Sequence, residues 1–239
     1  MLEGPAAGEG VAEHEGIDIA ASGQLTADSY VMRIALVDYG AGNLTSVKKA
    51  FTHLGADLVV PSSPRDLDGA DAIVVPGVGH FQATRSLTAE WRAAIRASLD
   101  RGRPLLGICV GMQWLYEGST EAPDSEGLGV IPGRCTRLTG GTANLKVPHV
   151  GWNTLAMPRP SSLLDGVPAE ASVYFTHSYA GPVNAATAAS TEYGERFAAA
   201  VEENLVMGLQ FHPEKSGATG LRILDNFLRR VAALAAPAV

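Results

Sequence analysis

From Arg33 onward the chain alternates short apolar runs with segments of helical period, and that alternation admits few folds besides a mostly parallel sheet layered with helices. Ile34-Ala-Leu-Val37 reads as a buried strand, and Asp38-Tyr-Gly-Ala-Gly-Asn43 as the loop at its carboxyl end. Leu44, Val47, Phe51 and Leu54 mark one face of a helix, and Leu58-Val-Val60 the next strand. Ala72-Ile-Val-Val75 runs into Pro76-Gly-Val-Gly79, a helix covers Trp91 to Leu99 and stops near Gly102, and Leu105-Leu-Gly-Ile108 is a further strand. The second half is richer in strands, expected around Val147 to Val150, Val173 to Phe175, Phe197 to Val201 and Val206 to Phe211. Leu221, Leu224, Phe227, Leu228, Val231 and Leu234 then give a closing amphipathic helix.

Residues 1–31 break this pattern. They are rich in Gly, Ala and acids, hold no sustained apolar period, and are expected to be a disordered extension, leaving 32–239 as one globular domain. Met32 opens the first strand-like run, so a misplaced translation start and a lineage-specific extension both remain open. The extension also explains the acidity. Glu3, Glu9, Glu13, Glu15, Asp18 and Asp28 precede the first Lys or Arg, Arg33, so setting these six aside brings the formal charge from −7 to −1. A nearly neutral body offers no basic footprint for nucleic acid and no cationic helix for a membrane surface. No run approaches the roughly 20 apolar residues of a membrane span, and a secretory signal is missing from the first residues, so a cytoplasmic location is expected.

In open α/β sheets ligands sit beyond the carboxyl ends of the strands. Pro76-Gly-Val-Gly79, Gly107-Ile-Cys-Val-Gly111 and Gln210-Phe-His-Pro-Glu214 all fall there. Cys109, between two glycines and between a strand and the helical run Val110 to Tyr116, has the setting of a nucleophile elbow, and a helix N-terminus favours the reactive thiolate. Taken alone, it is equally well read as a small core residue. His212 and Glu214 change the balance: alternation along an extended chain puts both on one side, where the carboxylate can orient an imidazole facing the thiol. His80, His149 and His177 also lie at strand ends and are rival bases, but only His212 has a carboxylate two residues away. Cys109 and Cys135 form no C-x-x-C pair and have no histidine pair at metal spacing, so neither a zinc site nor a disulfide is expected.

Gly107-Ile-Cys-Val-Gly-Met-Gln113 together with Gln210-Phe-His-Pro-Glu-Lys-Ser216 resembles the class I glutamine amidotransferases. Asp38-Tyr-Gly-Ala-Gly-Asn43, Pro76-Gly-Val-Gly79, Pro148-His-Val-Gly-Trp-Asn153 and Tyr174-Phe-Thr-His-Ser-Tyr179 are, within that family, similar to the glutaminase subunits of imidazole glycerol phosphate synthases, from Met32 to about Leu234. The resemblance implies a three-layer, flavodoxin-like α/β fold and a Cys109–His212–Glu214 triad that hydrolyses L-glutamine through a glutamyl thioester, without a cofactor or metal. It implies an oxyanion held by the amide of Val110 and one from the Gly77-Val78-Gly79 turn, with Gln113 and Glu126 and the backbone at Ser178 and Tyr179 as glutamine ligands. It further implies a heterodimer with a (β/α)8-barrel cyclase subunit, with Asn43, His149, Trp152, Tyr174 and Lys215 at or near the interface. Ammonia would pass into that barrel and convert a phosphoribulosyl-formimino aminoimidazole carboxamide ribotide to imidazole glycerol phosphate and an aminoimidazole carboxamide ribotide. Val110 departs from the leucine more usual after the nucleophile, at a position where only the amide is required. Glutaminases serving chorismate-using synthases, a subunit that has lost its chemistry, and a flavodoxin-like cofactor module are the competing readings.

Overall fold

The computed structural model describes residues 31–42, 44–157 and 159–235; the expected disordered extension and Asn43 therefore lie outside the described residues, save for Val31. In chain order the elements are β1 (Arg33–Leu36), α1 (Leu44–His53), β2 (Asp57–Val59), β3 (Ala72–Val75), α2 (Ala89–Asp100), β4 (Leu105–Ile108) and α3 (Val110–Leu115). Then come β5 (Gly118–Ser119), β6 (Arg134–Arg137), β7 (His149–Thr154), β8 (Ser172–His177), β9 (Tyr179–Ala180), β10 (Thr187–Glu192), β11 (Arg196–Glu203), β12 (Val206–Leu209) and α4 (Gly217–Ala235).

Seven strands form one sheet in the order β10-β11-β12-β4-β3-β1-β2. The five from β2 to β12 run parallel, and β11 and β10 add an antiparallel edge. β3, β4 and β12 are buried at every position, as their unbroken apolar runs require when both faces of a parallel strand are covered. The chain steps outward from β1 to β2, then returns past β1 to β3 and continues the other way to β4. Right-handed crossovers place α1 and α2 on opposite faces of the sheet, which gives the three layers. α4 returns to the α1 side, where Phe227 meets Phe51 edge to face at 6.2 Å, a pair worth about 0.5–1.5 kcal/mol beyond its buried area.

Reversal of the strand order between β1 and β3 leaves a crevice at their carboxyl ends, the usual ligand position in such folds. β4 and β12 lie beside it with paired registers, Leu105↔Val206 to Ile108↔Leu209, so the segments that follow them emerge side by side. β7 and β8 stand apart as a two-stranded antiparallel sheet, with Trp152 directly opposite Tyr174. Its sequence signal was short: β7 begins two residues later than Val147 and runs on to Thr154, because its pairing with β8 extends to Ser172.

Candidate active site

Cys109 occupies the turn between β4 and α3 at φ 55° and ψ −109°, a conformation that non-glycine residues avoid and that costs of order 1–3 kcal/mol. The flanking glycines permit the turn. A Cβ on Gly111 would collide with the carbonyl of Val75, and one on Gly107 would run into the Gly111 backbone, so any side chain at either position would push β3, β4 and α3 apart. The Cys109 amide donates to the carbonyl of Leu209 at 2.7 Å, which fixes the elbow to β12, the strand that delivers His212.

His212 and Glu214 are both brought to the thiol, but not along an extended chain. Pro213–Lys215 forms a 3-10 turn, for which Pro213 supplies a suitable φ at the first position, and the turn carries the Glu214 carboxylate back under the ring. His212 Nδ1 and Glu214 Oε1 are 2.9 Å apart, with both side chains sealed from solvent. Nδ1 therefore carries the proton donated to the carboxylate, and Nε2, outside ordinary hydrogen-bond geometry to any described residue, is left to face Cys109. Apo sites are often this loose before substrate arrives. Burial disfavours the imidazolium, but the Cys109 side chain and the Glu214 carboxylate outweigh it and raise the His212 pKa to about 9.

Beside the thiol lies a cavity of about 240 Å³ lined by Gly79, Cys109, Val110, Gln113, Glu121 and the Thr176–Tyr179 segment among others. Gln113 is buried at its edge and spends both amide hydrogens, on the carbonyl of Tyr179 at 2.7 Å and on Gln210 Oε1 at 3.2 Å, which leaves its Oε1 to accept from a ligand. Glu126, expected among the ligands, is not there. Its side chain is 83% exposed and pairs with Arg92 at 3.2 Å on the outer surface. The carboxylate that reaches the cavity is Glu121, anchored by the amide of Phe81 at 2.7 Å. No signal in the sequence marked it, because nothing in the local pattern fixes how the chain from Gly118 to Asp124 folds.

Of the amides expected at the oxyanion, those of Val110 and Val78 are already bonded within the chain. The amide of Val110 donates to the carbonyl of Gly77 at 3.3 Å, and that of Val78 donates away from the site to the carbonyl of Ala41 at 2.7 Å. The Gly77–Val78 peptide thus turns its oxygen, not its hydrogen, toward the Val110 amide.

His149 and His177 do not compete with His212 as bases. The Nδ1–H of His177 donates to the Tyr179 carbonyl at 2.9 Å, so its Nε2 accepts from His149 Nδ1 at 3.2 Å, and His149 Nε2 accepts in turn from Asn153 at 3.3 Å. Burial lowers their pKa values to about 3 for His177 and about 4 for His149, and both rings stay neutral. His149 is also stacked between Tyr193 and Phe175, at 4.1 and 4.7 Å, which removes it from the expected partner surface. Trp152 remains there, 58% exposed and edge to face with Tyr174 at 6.0 Å, while the Lys215 ammonium sits 5.8 Å from the Tyr174 ring. His80 instead caps the turn that begins at Phe81, accepting from the amide of Gln82. Cys135 is a fully buried free thiol whose pKa is pushed up by burial.

Residues 35–231 match the family model of class I glutamine amidotransferases. The chain belongs to the class I glutamine amidotransferases, in the HisH family. Within it, this amidotransferase is 45% identical over 201 residues to an imidazole glycerol phosphate synthase subunit HisH of Methanothermobacter thermautotrophicus, covering 84% of this chain and all of that relative. It is 49% identical over 204 residues to the subunit of the same name from Halobacterium salinarum, covering 82% and 92% of the two chains. Among solved structures, a glutamine amidotransferase superposes with a TM-score of 0.65 at 18% identity over 83% of this amidotransferase and 98% of that chain. PurLQS from Thermotoga maritima does so with a TM-score of 0.63 at 18% identity, over 84% and 99%. At those identities the two structures speak for the fold. No described helix is long and apolar enough to cross a membrane.

Proposed function

We propose that this amidotransferase hydrolyses glutamine at Cys109 and delivers the ammonia to a (β/α)8-barrel cyclase that makes imidazole glycerol phosphate and the aminoimidazole carboxamide ribotide. The observation that carries the reading is that Cys109, at the carboxyl end of β4, lines a glutamine-sized polar cavity while the buried His212–Glu214 pair stands behind it at the end of β12. Cys109 Sγ attacks the side-chain amide carbon while His212, held by Glu214, is charged. His212 gives its Nε2 proton to the departing ammonia, and the acyl group stays on sulfur as a glutamyl thioester. The neutral imidazole then takes a proton from water, whose oxygen attacks the thioester, and glutamate leaves as Sγ is restored.

Glu121 and the Gln113 Oε1 form an acceptor set suited to the α-ammonium of glutamine, and the Ser178–Tyr179 segment lines the same cavity. Glu121→Gln is therefore expected to raise the KM for glutamine at least about tenfold, the scale of one buried charge-assisted contact. Glu126→Gln should leave it within about twofold, because that carboxylate faces solvent. Steady-state kinetics of the two variants side by side checks the assignment.

A charged His212 is needed when ammonia leaves. Its raised pKa means that the active protonation state is complete at neutral pH and is lost as pH rises through about 9. A pH profile of kcat/KM for glutamine should fall on the alkaline side near that value, and Glu214→Gln, which withdraws one of the groups raising the pKa, should move the fall to lower pH.

The exposed Trp152, edge to face with Tyr174, which lies beside Lys215, offers the kind of aromatic anchor that dominates protein interfaces, and it sits one residue layer from the site: the amide of His212 donates to the Tyr174 carbonyl at 2.9 Å. Glutamate release by this chain mixed with a matching barrel cyclase, with and without its ribonucleotide substrate, tests the whole reading. Release that depends on the ribonucleotide supports it. Release with a chorismate-using synthase instead would keep the glutaminase and discard the partner.

A further inference from the structure

Tyr39 follows β1 in the crevice between β1 and β3, and it is 7% exposed. Its hydroxyl is buried with no hydrogen-bond partner among the described residues. Such a group bears the full desolvation penalty with nothing in return, which calls for an explanation in a second state of the molecule. The hydroxyl is directed at Gly77. A Cβ on that glycine would collide with the Tyr39 oxygen and come 3.1 Å from the ring carbon Cζ, so the phenol occupies the side-chain face of Gly77 and only glycine lets it approach. Burial, and then the nearness of Cys109, push the ionisation of Tyr39 far above the usual range, so it is a neutral donor throughout the working pH of the site.

The peptide next to this donor is the one whose carbonyl occupies the Val110 amide and whose own amide is bonded to Ala41. Turning the Gly77–Val78 peptide over breaks two hydrogen bonds, Val110 N–H to Gly77 and Val78 N–H to Ala41. The two amides regain a partner in the oxyanion. The Gly77 carbonyl, pulled off Val110, needs a donor of its own, or the turned state carries a buried unpaired acceptor.

We propose that Tyr39 is a positioning residue for glutamine hydrolysis: its hydroxyl receives the turned carbonyl of Gly77 and holds the oxyanion site in its working form. The phenol hydroxyl and the carbonyl, each unpaired in one of the two states, satisfy each other in the active one. This deepens the reading given above and rests on it, since the turned peptide matters only if Cys109 attacks an amide.

The experiment is Tyr39→Phe in the full complex with the barrel cyclase and its ribonucleotide, beside wild type. Loss of one net hydrogen bond from the active state is expected to lower the stimulated kcat about five- to tenfold, with the KM for glutamine within about twofold. The Tm of the free subunit should be unchanged or higher, because the variant removes an unpaired buried polar group. An undiminished stimulated kcat would overturn the proposal. So would a fall in kcat accompanied by a matching rise in KM or drop in Tm, which is the mark of a core residue and not of a latch. If wild type itself releases no glutamate through Cys109, the functional reading fails and this one with it; a stimulated wild type with an equally active Tyr39→Phe removes only the latch.

Discussion

Cys109→Ala is expected to lose glutamine hydrolysis by at least about ten-thousandfold in kcat, as removal of a nucleophile that works as a unit with its base does elsewhere. The same position makes a second, opposite forecast for stability. Cys109 is held at φ 55°, so part of the folding free energy is stored as backbone strain at the elbow. Alanine keeps a Cβ and keeps that strain, whereas glycine relieves it. Urea unfolding should therefore place Cys109→Gly at or above wild type and roughly 1 kcal/mol or more above Cys109→Ala, with both inactive. Equal or lower stability of the glycine variant relative to alanine would mean that the elbow is not strained.

Binding of the liganded cyclase should raise kcat for glutamine by about a hundredfold or more. The size follows from the resting hydrogen bonds: the Val110 amide is covered by the Gly77 carbonyl and the Val78 amide is bonded to Ala41, so under the proposed mechanism these two donors are withheld from the oxyanion. One such donor is typically worth about 10²–10³ in kcat. Stimulation should appear in kcat rather than KM, because Gln113 and Glu121 are already in place around the cavity. Single-turnover measurements with and without the ribonucleotide separate the two. Stimulation of KM alone would show that the resting site lacks a substrate contact instead of an oxyanion donor.

The central strands were legible in the sequence because a parallel strand covered on both faces must be apolar throughout, as in Ala72–Val75 and Leu105–Ile108. β10 was not. Thr187–Glu192 is Thr-Ala-Ala-Ser-Thr-Glu, buried at five of six positions without one β-branched aliphatic or aromatic residue, and it packs as the small-residue edge of β11, whose centre is likewise alanine. The residues of the triad could be named from their motifs, although the geometry of His212 and Glu214 comes from a 3-10 turn and not from strand alternation. Glu121 and His149 show where local pattern stops. Whether Glu121 or Glu126 meets the cavity depends on the fold of an irregular loop, and whether His149 faces a partner or the interior depends on the register of β7 against β8, which a single strand does not encode. The orientation of one peptide, Gly77–Val78, is a tertiary property with no sequence signature.

The most direct test of a thiol mechanism at this site is acid quenching of the complex during turnover of glutamine, followed by mass spectrometry of its peptides. A glutamyl group on the peptide containing Cys109, absent before glutamine is added and lost as glutamine is exhausted, is the expected result. Steady turnover with no acyl group at Cys109, from an assay able to detect a thioester standard, or the group found on Cys135 or another residue, would contradict it.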